Sequence, residues 1–276
     1  MWKSNLVFVG IAPHPPIMVP EVGGDQIAQV ERSIAAMRDF TERIIGNKTE
    51  TIVIVSPHAP LEPDAFVFYA DPQVQGDFSA FRVPHVEVRA PLDRELLHAI
   101  EKEANREGFR LIPLRNRKLD HGTTVPLYFL QRNGWRGRVV AFGYSFLSNQ
   151  DHLRFGASLK RAAEKTGRRI ALVASGDLSH RLKPEAPAGY NPQAHLFDEE
   201  IVASLREGDL ERIVRLDPNL RMIAGECGYR SMIVSIGASR ELPLNCEVLS
   251  YEAPFGVGYM VAQLASAASQ QNARSN

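Results

Sequence analysis

Three of the eight histidines in this sequence follow apolar runs, and this placement suggests a shared functional site. His14 follows LVFVGIA, His58 follows TIVIVS, and His180 follows IALVASG after a short polar segment. Ligands of open α/β sheets gather at the carboxyl ends of strands, and imidazole is the commonest metal ligand. We therefore expect His14 and His58, both flanked by proline, to form a two-histidine metal site. The alternative is that the prolines only end the strands and both histidines are solvated.

Two further segments contain candidates for the same crevice. His180 lies in ASGDLSHRL together with Asp177 and Ser179, and His121 follows Asp120 in LDHGTTVPL. A carboxylate beside an imidazole can orient it and tune its titration. The structural alternatives are a helix N-cap turn around Asp177 or Ser179, and an ordinary loop pair at Asp120 and His121.

A third metal ligand is offered by the segment AGECGYRSMIV. Glu226 and Cys227 lie there between two glycines, just before an apolar helical pattern. Two imidazoles and one carboxylate form the facial triad of non-haem Fe(II) oxygenases, whereas two imidazoles and a thiolate favour zinc or copper. The structural alternatives are a solvated or helix-capping carboxylate for Glu226 and a buried small apolar side chain for Cys227.

The elements that must position these residues alternate along the chain. Apolar runs without polar alternation predict strands covered on both faces, over residues 6–12, 51–56, 65–70, 138–144, 170–176, 246–253 and 258–265. Helical patterns lie between them, over residues 24–45, 93–108, 151–167, 191–209 and 228–241. The alternation predicts an α/β fold with one domain, residues 1–265, in which helices flank a mostly parallel central sheet. The polar segment 266–276 is expected to be a frayed tail.

The bulk composition excludes several classes of partner. Lys+Arg and Asp+Glu both number 32, so net charge gives no argument for nucleic acid or an anionic membrane. No run reaches the roughly 18 apolar residues of a membrane span, and the N-terminus has the pattern of a first strand rather than of a signal peptide. The two cysteines are expected to be free thiols in a reducing cytoplasm. The G-x-G-x-x-G, P-loop and H-E-x-x-H motifs are absent from the sequence.

Five motifs, in order, resemble those of the class III extradiol dioxygenases, and the closer likeness is to the catalytic B subunit of the protocatechuate 4,5-dioxygenase type. They are GIAPHPP, VIVSPHAP, HGTTVPLYFL, ASGDLSHRL and GECGYRSMIVSIGA, and the resemblance extends over about residues 5–265. The superfamily also includes Memo-like proteins, which use a cysteine followed by glycine near the position of ECG. Each motif is short, and the set is more specific to the superfamily than to a substrate.

The resemblance implies a role for each of the matched residues. His14, His58 and Glu226 match the ligands of Fe(2+), and His180 matches the catalytic histidine that acts as acid and base. His121 matches an active-site position, and Asp177 is expected to tune or orient His180. The implied reaction inserts both atoms of O2 into a catecholic ring beside its hydroxyl pair. If Cys227 faces the metal instead of Glu226, ring cleavage is not expected. A Memo-like metal-binding module without dioxygenase turnover and a metal-dependent hydrolase are the alternatives to this reaction.

Expectations about partners follow from the same resemblance. We expect a catecholic small molecule and O2, a homo-oligomer with a possible small accessory subunit, and no second domain within this chain. A carboxylated substrate would require a cationic anchor, and Arg181, Lys183 and Arg230 lie beside motif residues.

Overall fold

The computed structural model describes residues 2–268, which fold around an eight-stranded sheet. The strands are β1 Leu6–Ala12, β2 Thr51–Ser56, β3 Ala65–Tyr69, β4 Gln73–Phe78, β5 Val83–Pro91, β6 Arg110–Leu114, β7 Arg138–Gly143, β8 Ile170–Ser175, β9 Glu247–Glu252 and β10 Tyr259–Ser266. The order in the sheet is β6-β3-β7-β2-β8-β1-β10-β9, and β4 pairs with β5 in a separate hairpin. Strands β7, β2, β8 and β1 are mutually parallel, so their carboxyl ends share one edge.

Helices cover both faces of this sheet. They are α1 Pro20–Gly23, α2 Glu31–Gly46, α3 Arg94–Arg106, α4 His121–Arg132, α5 Asn149–Ala163, α6 His195–Glu207, α7 Leu210–Val214, α8 Pro218–Ala224 and α9 Tyr229–Ser239. The core on one face packs β-strands against α3, α5, α6 and α9. The core on the other face packs them against α2, α4 and the β4–β5 hairpin. The predicted single-domain α/β fold with a mostly parallel sheet is therefore confirmed.

The central strands have continuous apolar sequences because both of their faces are buried. In β2, Ile52 and Ile54 point to one core, and Val53 and Val55 point to the other. All six β2 residues are buried, as are all six of β8. A strand that is half covered would alternate apolar and polar residues instead.

The strands that the sequence analysis did not find have this alternating or mixed character. The β4 sequence QVQGDF and the β5 sequence VPHVEVRAP alternate between buried and exposed positions, and β6 is an edge strand that contains Pro113. Within the expected helix 24–45, residues 24–30 form a 3₁₀ segment before α2 begins. Strand β10 ends at Ser266, the first residue of the expected tail. The rest of that tail from residue 269 onward lies outside the described part of the chain.

Helix α9 is held by an unusually close approach to α5. A Cβ atom on Gly156 would lie 2.0 Å from the Val234 carbonyl oxygen, and one on Gly237 would lie 2.2 Å from the Leu153 carbonyl oxygen. The two backbones therefore touch where side chains would normally separate them. Because Cys227 and Glu226 directly precede α9, this contact sets the position of the predicted third ligand. Within residues 2–268, no helix combines the length and the apolar composition of a membrane span.

We expect Gly156→Ala to lower the free energy of unfolding by about 1–3 kcal/mol, since the added methyl group overpacks the contact between α5 and α9. Urea unfolding monitored by circular dichroism measures this change. Gly46→Ala is the matched control, because nothing lies within 4 Å of a Cβ atom there, and it should be neutral or stabilise the fold by up to about 1 kcal/mol. Equal effects of the two substitutions would contradict the interpretation.

Candidate metal centre

The carboxyl ends of three neighbouring parallel strands bring the predicted residues together. Strand β8 lies between β2 and β1, so the segments that follow these strands meet at one edge of the sheet. His14 follows β1, His58 follows β2, and Asp177 follows β8. The Nε2 atoms of His14 and His58 are 3.0 Å apart. The structure thus brings the Nε2 atoms of these two histidines together, with their ring planes nearly perpendicular at 86°.

His14 is buried, and two hydrogen bonds fix its orientation. Its backbone N–H donates to Asp177 Oδ1 at 3.0 Å, and its Nδ1 lies 2.9 Å from Ser175 Oγ. The Ser175 hydroxyl itself donates to the Gly122 carbonyl oxygen, so Ser175 Oγ accepts the hydrogen bond from His14 Nδ1–H. This hydrogen bond selects the tautomer whose Nε2 lone pair is free for a metal. Burial, reinforced by the facing imidazoles of His58 and His121, lowers the pKa of His14 well below its ordinary value.

His121 joins the same cluster from the first position of α4. Its ring stacks on His58 with the centroids 4.1 Å apart, and it lies edge-on to His14 at 5.3 Å. The Asp120 carboxylate caps α4 through the Thr123 N–H at 3.0 Å, and it also accepts a hydrogen bond from Ser56 Oγ at 2.5 Å. Asp120 therefore orients His121 through the backbone of the helix start.

Asp177 and Cys227 approach His14 from the other side. Asp177 Oδ2 and Cys227 Sγ each lie 3.7 Å from His14 Nε2, and the Asp177 N–H is 3.3 Å from the same sulfur. The contact depends on two glycines, because a Cβ atom on Gly176 would lie 2.1 Å from the Gly228 Cα atom. Burial raises the pKa of Asp177 to about 7 and also raises the pKa of the Cys227 thiol. A bound cation would compensate for the burial of both groups.

Glu226 has a different environment from the one that the sequence analysis predicted. Its carboxylate pairs with Arg221 at 3.1 Å and accepts a hydrogen bond of 2.7 Å from the Tyr229 N–H. Arg221 in turn lies over the Tyr229 ring, 3.9 Å from the centroid. Glu226 therefore caps the first turn of α9, which is one of the alternatives considered for it, and the structure does not bring its carboxylate to His14 and His58.

His180 lies on the loop after β8, within electrostatic reach of His14 and His58. The pKa of His14 and that of His58 are lowered mainly by burial, and the nearby His180 is a smaller cause of the same shift. Its own pKa is lowered by burial, and its Nδ1 atom is buried without a hydrogen-bond partner in residues 2–268. The Asp177 carboxylate, which was expected to tune His180, contacts His14 instead.

The residues fit a divalent transition metal. Within residues 2–268 two groups of possible ligands are present, His14 with His58 and His121, and His14 with Asp177 and Cys227. Two nitrogen ligands at right angles on one ion, each at about 2.1 Å, are about 3.0 Å apart, and the His14–His58 separation is 3.0 Å. A thiolate and an imidazole on one tetrahedral ion are about 3.6 Å apart, and the Cys227–His14 separation is 3.7 Å. His14 is common to both groups, so it anchors either arrangement.

Sequence reasoning missed Ser175 and the contact between Asp177 and His14. A signal for Ser175 was present, since it is a polar residue at the end of an otherwise apolar strand. No sequence signal distinguishes an Asp177 side chain that turns to His14 from one that turns to His180, because that choice depends on the packing of β1 against β8.

Comparison with known proteins places the chain in a family. Residues 9–262 match the family described as the catalytic LigB subunit of aromatic ring-opening dioxygenase. The chain therefore belongs to this family, and the expected resemblance is confirmed.

Individual proteins that resemble this chain do so at low to moderate sequence identity. Protein CA_C1420 of Clostridium acetobutylicum is 35% identical over 263 residues, which are 92% of this chain but only 56% of that protein. The 3,4-dihydroxyphenylacetate 2,3-dioxygenase of Escherichia coli is 24% identical over 74% of this chain and 78% of its own length. The 2-aminophenol 1,6-dioxygenase beta subunit of a Pseudomonas species is 25% identical over 95% of both chains. The uncharacterized protein JW3007 from Escherichia coli K12 shares the fold with a TM-score of 0.66 at 15% identity, over 94% of this chain and all of the other.

We expect Ser175→Ala to weaken metal binding about 10–100-fold, because His14 loses the hydrogen bond that fixes its tautomer. A competition titration of Zn(II) against a chelator measures the affinity without any need for turnover. Ser204→Ala is the matched control, since among the described residues this buried serine bonds only within α6, to the Glu200 carbonyl oxygen. Unchanged affinity in the Ser175 variant would remove Ser175 from the site.

Proposed function

We propose that His14 and His58 hold one divalent metal ion, Fe(II), and that the protein opens an aromatic ring by extradiol-type dioxygenation. The observation that carries the proposal is the convergence of the two Nε2 atoms at 3.0 Å, with the His14 tautomer set by Ser175. Family membership supports the same reaction class. Metal chemistry of this kind uses two imidazole ligands, a third protein ligand and open positions for the reactants.

The relatives support a substrate class for the proposal. The names of two of them specify 3,4-dihydroxyphenylacetate and 2-aminophenol. These two molecules share an aromatic ring with two heteroatom substituents on adjacent carbons. We extend this common feature to the present chain and propose a catechol or a closely similar ring as the substrate, with O2 as the second reactant.

The chain's own residues supply proton transfer and orientation. A bound Fe(II) ion would act as a Lewis acid and as a template for both reactants. His180, whose pKa is lowered by burial, is neutral at neutral pH and can accept a proton from a substrate hydroxyl and later return it. Its buried Nδ1 has no hydrogen-bond partner in residues 2–268. His121 stacks on the His58 ring with the centroids 4.1 Å apart, so these two side chains support each other in the crevice.

The third ligand separates two candidate functions. In the ring-opening proposal Glu226 is the third ligand. Its carboxylate must then give up its ion pair with Arg221 and its hydrogen bond from the Tyr229 N–H. The observed approach of Cys227 Sγ to His14 favours a second candidate, a zinc or copper site of His14, His58 and Cys227 without ring cleavage. We also propose that the protein is a cytoplasmic homo-oligomer, with a small accessory subunit as a further partner.

If the ring-opening proposal holds, Glu226→Gln loses most of the bound Fe(II), since a neutral amide is a poor ligand, and Cys227→Ser keeps it. Iron content after anaerobic reconstitution and oxygen uptake with catechol are the two measurements. His14→Ala, which removes the ligand common to both arrangements, should lose the metal under either candidate. Loss of metal in Cys227→Ser with retention in Glu226→Gln would select the second candidate.

We expect His180→Ala to retain iron but to lower kcat about 10²–10⁴-fold, the usual range for removal of a general acid–base group. Steady-state oxygen uptake and metal content on the same preparations test this. His195→Ala serves as the control, because His195 is exposed on α6 and pairs only with Glu199 in the described chain. Full activity of the His180 variant would exclude it from proton transfer.

A further inference from the structure

Three consecutive residues at the start of α4, Asp120, His121 and Gly122, lie against the candidate metal centre. The His121 ring stacks on the His58 ring with the centroids 4.1 Å apart. A Cβ atom on Gly122 would lie 2.4 Å from Ser56 Oγ and 3.4 Å from His58 Cδ2. The backbone of the helix start therefore packs directly against the segment that leads from β2 to His58, and a side chain at position 122 would displace Ser56.

Ser56, the last residue of β2, connects this helix start to His58. Its hydroxyl donates to Asp120 Oδ1 at 2.5 Å and accepts a hydrogen bond of 3.2 Å from the His58 N–H. Asp120 is held from its other side, since the Tyr69 hydroxyl donates to Oδ2 at 3.0 Å. Hydrogen bonds to a carboxylate are stronger than those between neutral groups. The Asp120 carboxylate therefore fixes the point at which the chain leaves β2 and turns toward His58.

Ser175, the last residue of β8, connects the same helix start to His14. Its hydroxyl accepts the hydrogen bond from His14 Nδ1–H at 2.9 Å and donates to the Gly122 carbonyl oxygen. Two serines at the ends of neighbouring strands thus hold one histidine each against the first turn of α4. Because both links end on residues 120–122, the separation of the two histidine Nε2 atoms depends on this one segment.

We propose that Asp120 and Gly122 are positioning residues of the metal centre, and that the start of α4 sets the 3.0 Å separation of the two Nε2 atoms through Ser56 and Ser175. The inference rests on the proposed function, since it requires a metal ion at the histidine pair. The helix start does not touch the ion. It holds the two imidazoles in place before the ion arrives, so that less conformational freedom is lost when the metal binds.

Ser56→Ala tests the link to His58, because it removes the hydroxyl and leaves Asp120 as the cap of α4. Co(II) is titrated into the metal-free protein in competition with a chelator, and its visible absorption reports the geometry of the ligands. We expect the Co(II) affinity to fall about 10–100-fold, the usual effect of removing a group that orients a metal ligand, and the absorption spectrum of bound Co(II) to change.

Thr123→Val is the matched control for this substitution. In the described part of the chain the Thr123 hydroxyl bonds only to the other oxygen of the same carboxylate, Asp120 Oδ2, at 3.1 Å. This variant should therefore keep both the Co(II) affinity and the spectrum. Thermal unfolding of the metal-free proteins checks that the variants fold. If Ser56→Ala does not fold, Gly122→Ala takes its place, because its methyl group displaces Ser56 without removing a hydrogen-bonding group, and the same loss of affinity is expected.

A double-mutant cycle tests whether the two serine links act on the same separation. Its members are Ser56→Ala, Ser175→Ala and the variant that carries both substitutions. If one segment sets the distance between the imidazoles, the first substitution already loosens that distance and the second costs less. The double variant should then lose less Co(II) affinity than the product of the two single losses, which is the result for independent sites.

Three results would overturn the role of the helix start while leaving the proposed function intact. They are an unchanged Co(II) affinity in the folded Ser56 or Gly122 variant, an equal loss in Thr123→Val, and a double variant that loses the full product of the two single losses. Failure of the wild-type protein to bind Co(II) or Fe(II) would overturn the proposed function and this inference together.

Discussion

The hydrogen bond from His14 Nδ1 to Ser175 Oγ is the interaction on which the metal centre depends. It ties the segment after β1 to the last residue of β8, and it directs the His14 Nε2 lone pair toward His58. Without it, the imidazole is free to present a proton rather than a lone pair to the crevice. The two sets of possible ligands share His14, so both inherit their geometry from this bond.

The side of the centre that faces α9 is governed by backbone packing rather than by side-chain chemistry. Gly176 lies against Gly228, and Gly156 and Gly237 bring α5 and α9 into backbone contact. These approaches carry the Glu226–Cys227 turn to the end of β8. Within that turn Arg221 and the Tyr229 N–H compete with any metal for the Glu226 carboxylate, whereas the Cys227 sulfur already lies beside His14. In the proposed metal centre, Glu226 can be the third ligand only if a metal bond is more favourable than its present role as the cap of α9.

Much of this arrangement was predictable from the sequence, and the exceptions have a physical origin. Continuous apolar runs identified the strands that are buried on both faces, and the positions of His14 and His58 after two of them predicted their convergence. The β4–β5 hairpin lacks such runs because one of its faces is exposed. The side-chain directions of Asp177 and Glu226 are set by contacts with residues distant in sequence, His14 and Arg221, and local patterns carry no information about them.

The strand order has a consequence for the assembly of the centre. Strands β1 and β2 lead to the two histidines of the candidate metal centre, but they are not paired with each other, because β8 lies between them. His14 and His58 both belong to the first quarter of the chain. Even so, their imidazoles are held side by side only after residues 170–175 enter the sheet between β1 and β2. Under the proposed function, metal loading is therefore coupled to the completion of long-range strand pairing, the slow part of folding in such sheets. A nascent or partly folded chain has scattered histidines, and only the finished sheet converts them into a single ion-binding pair.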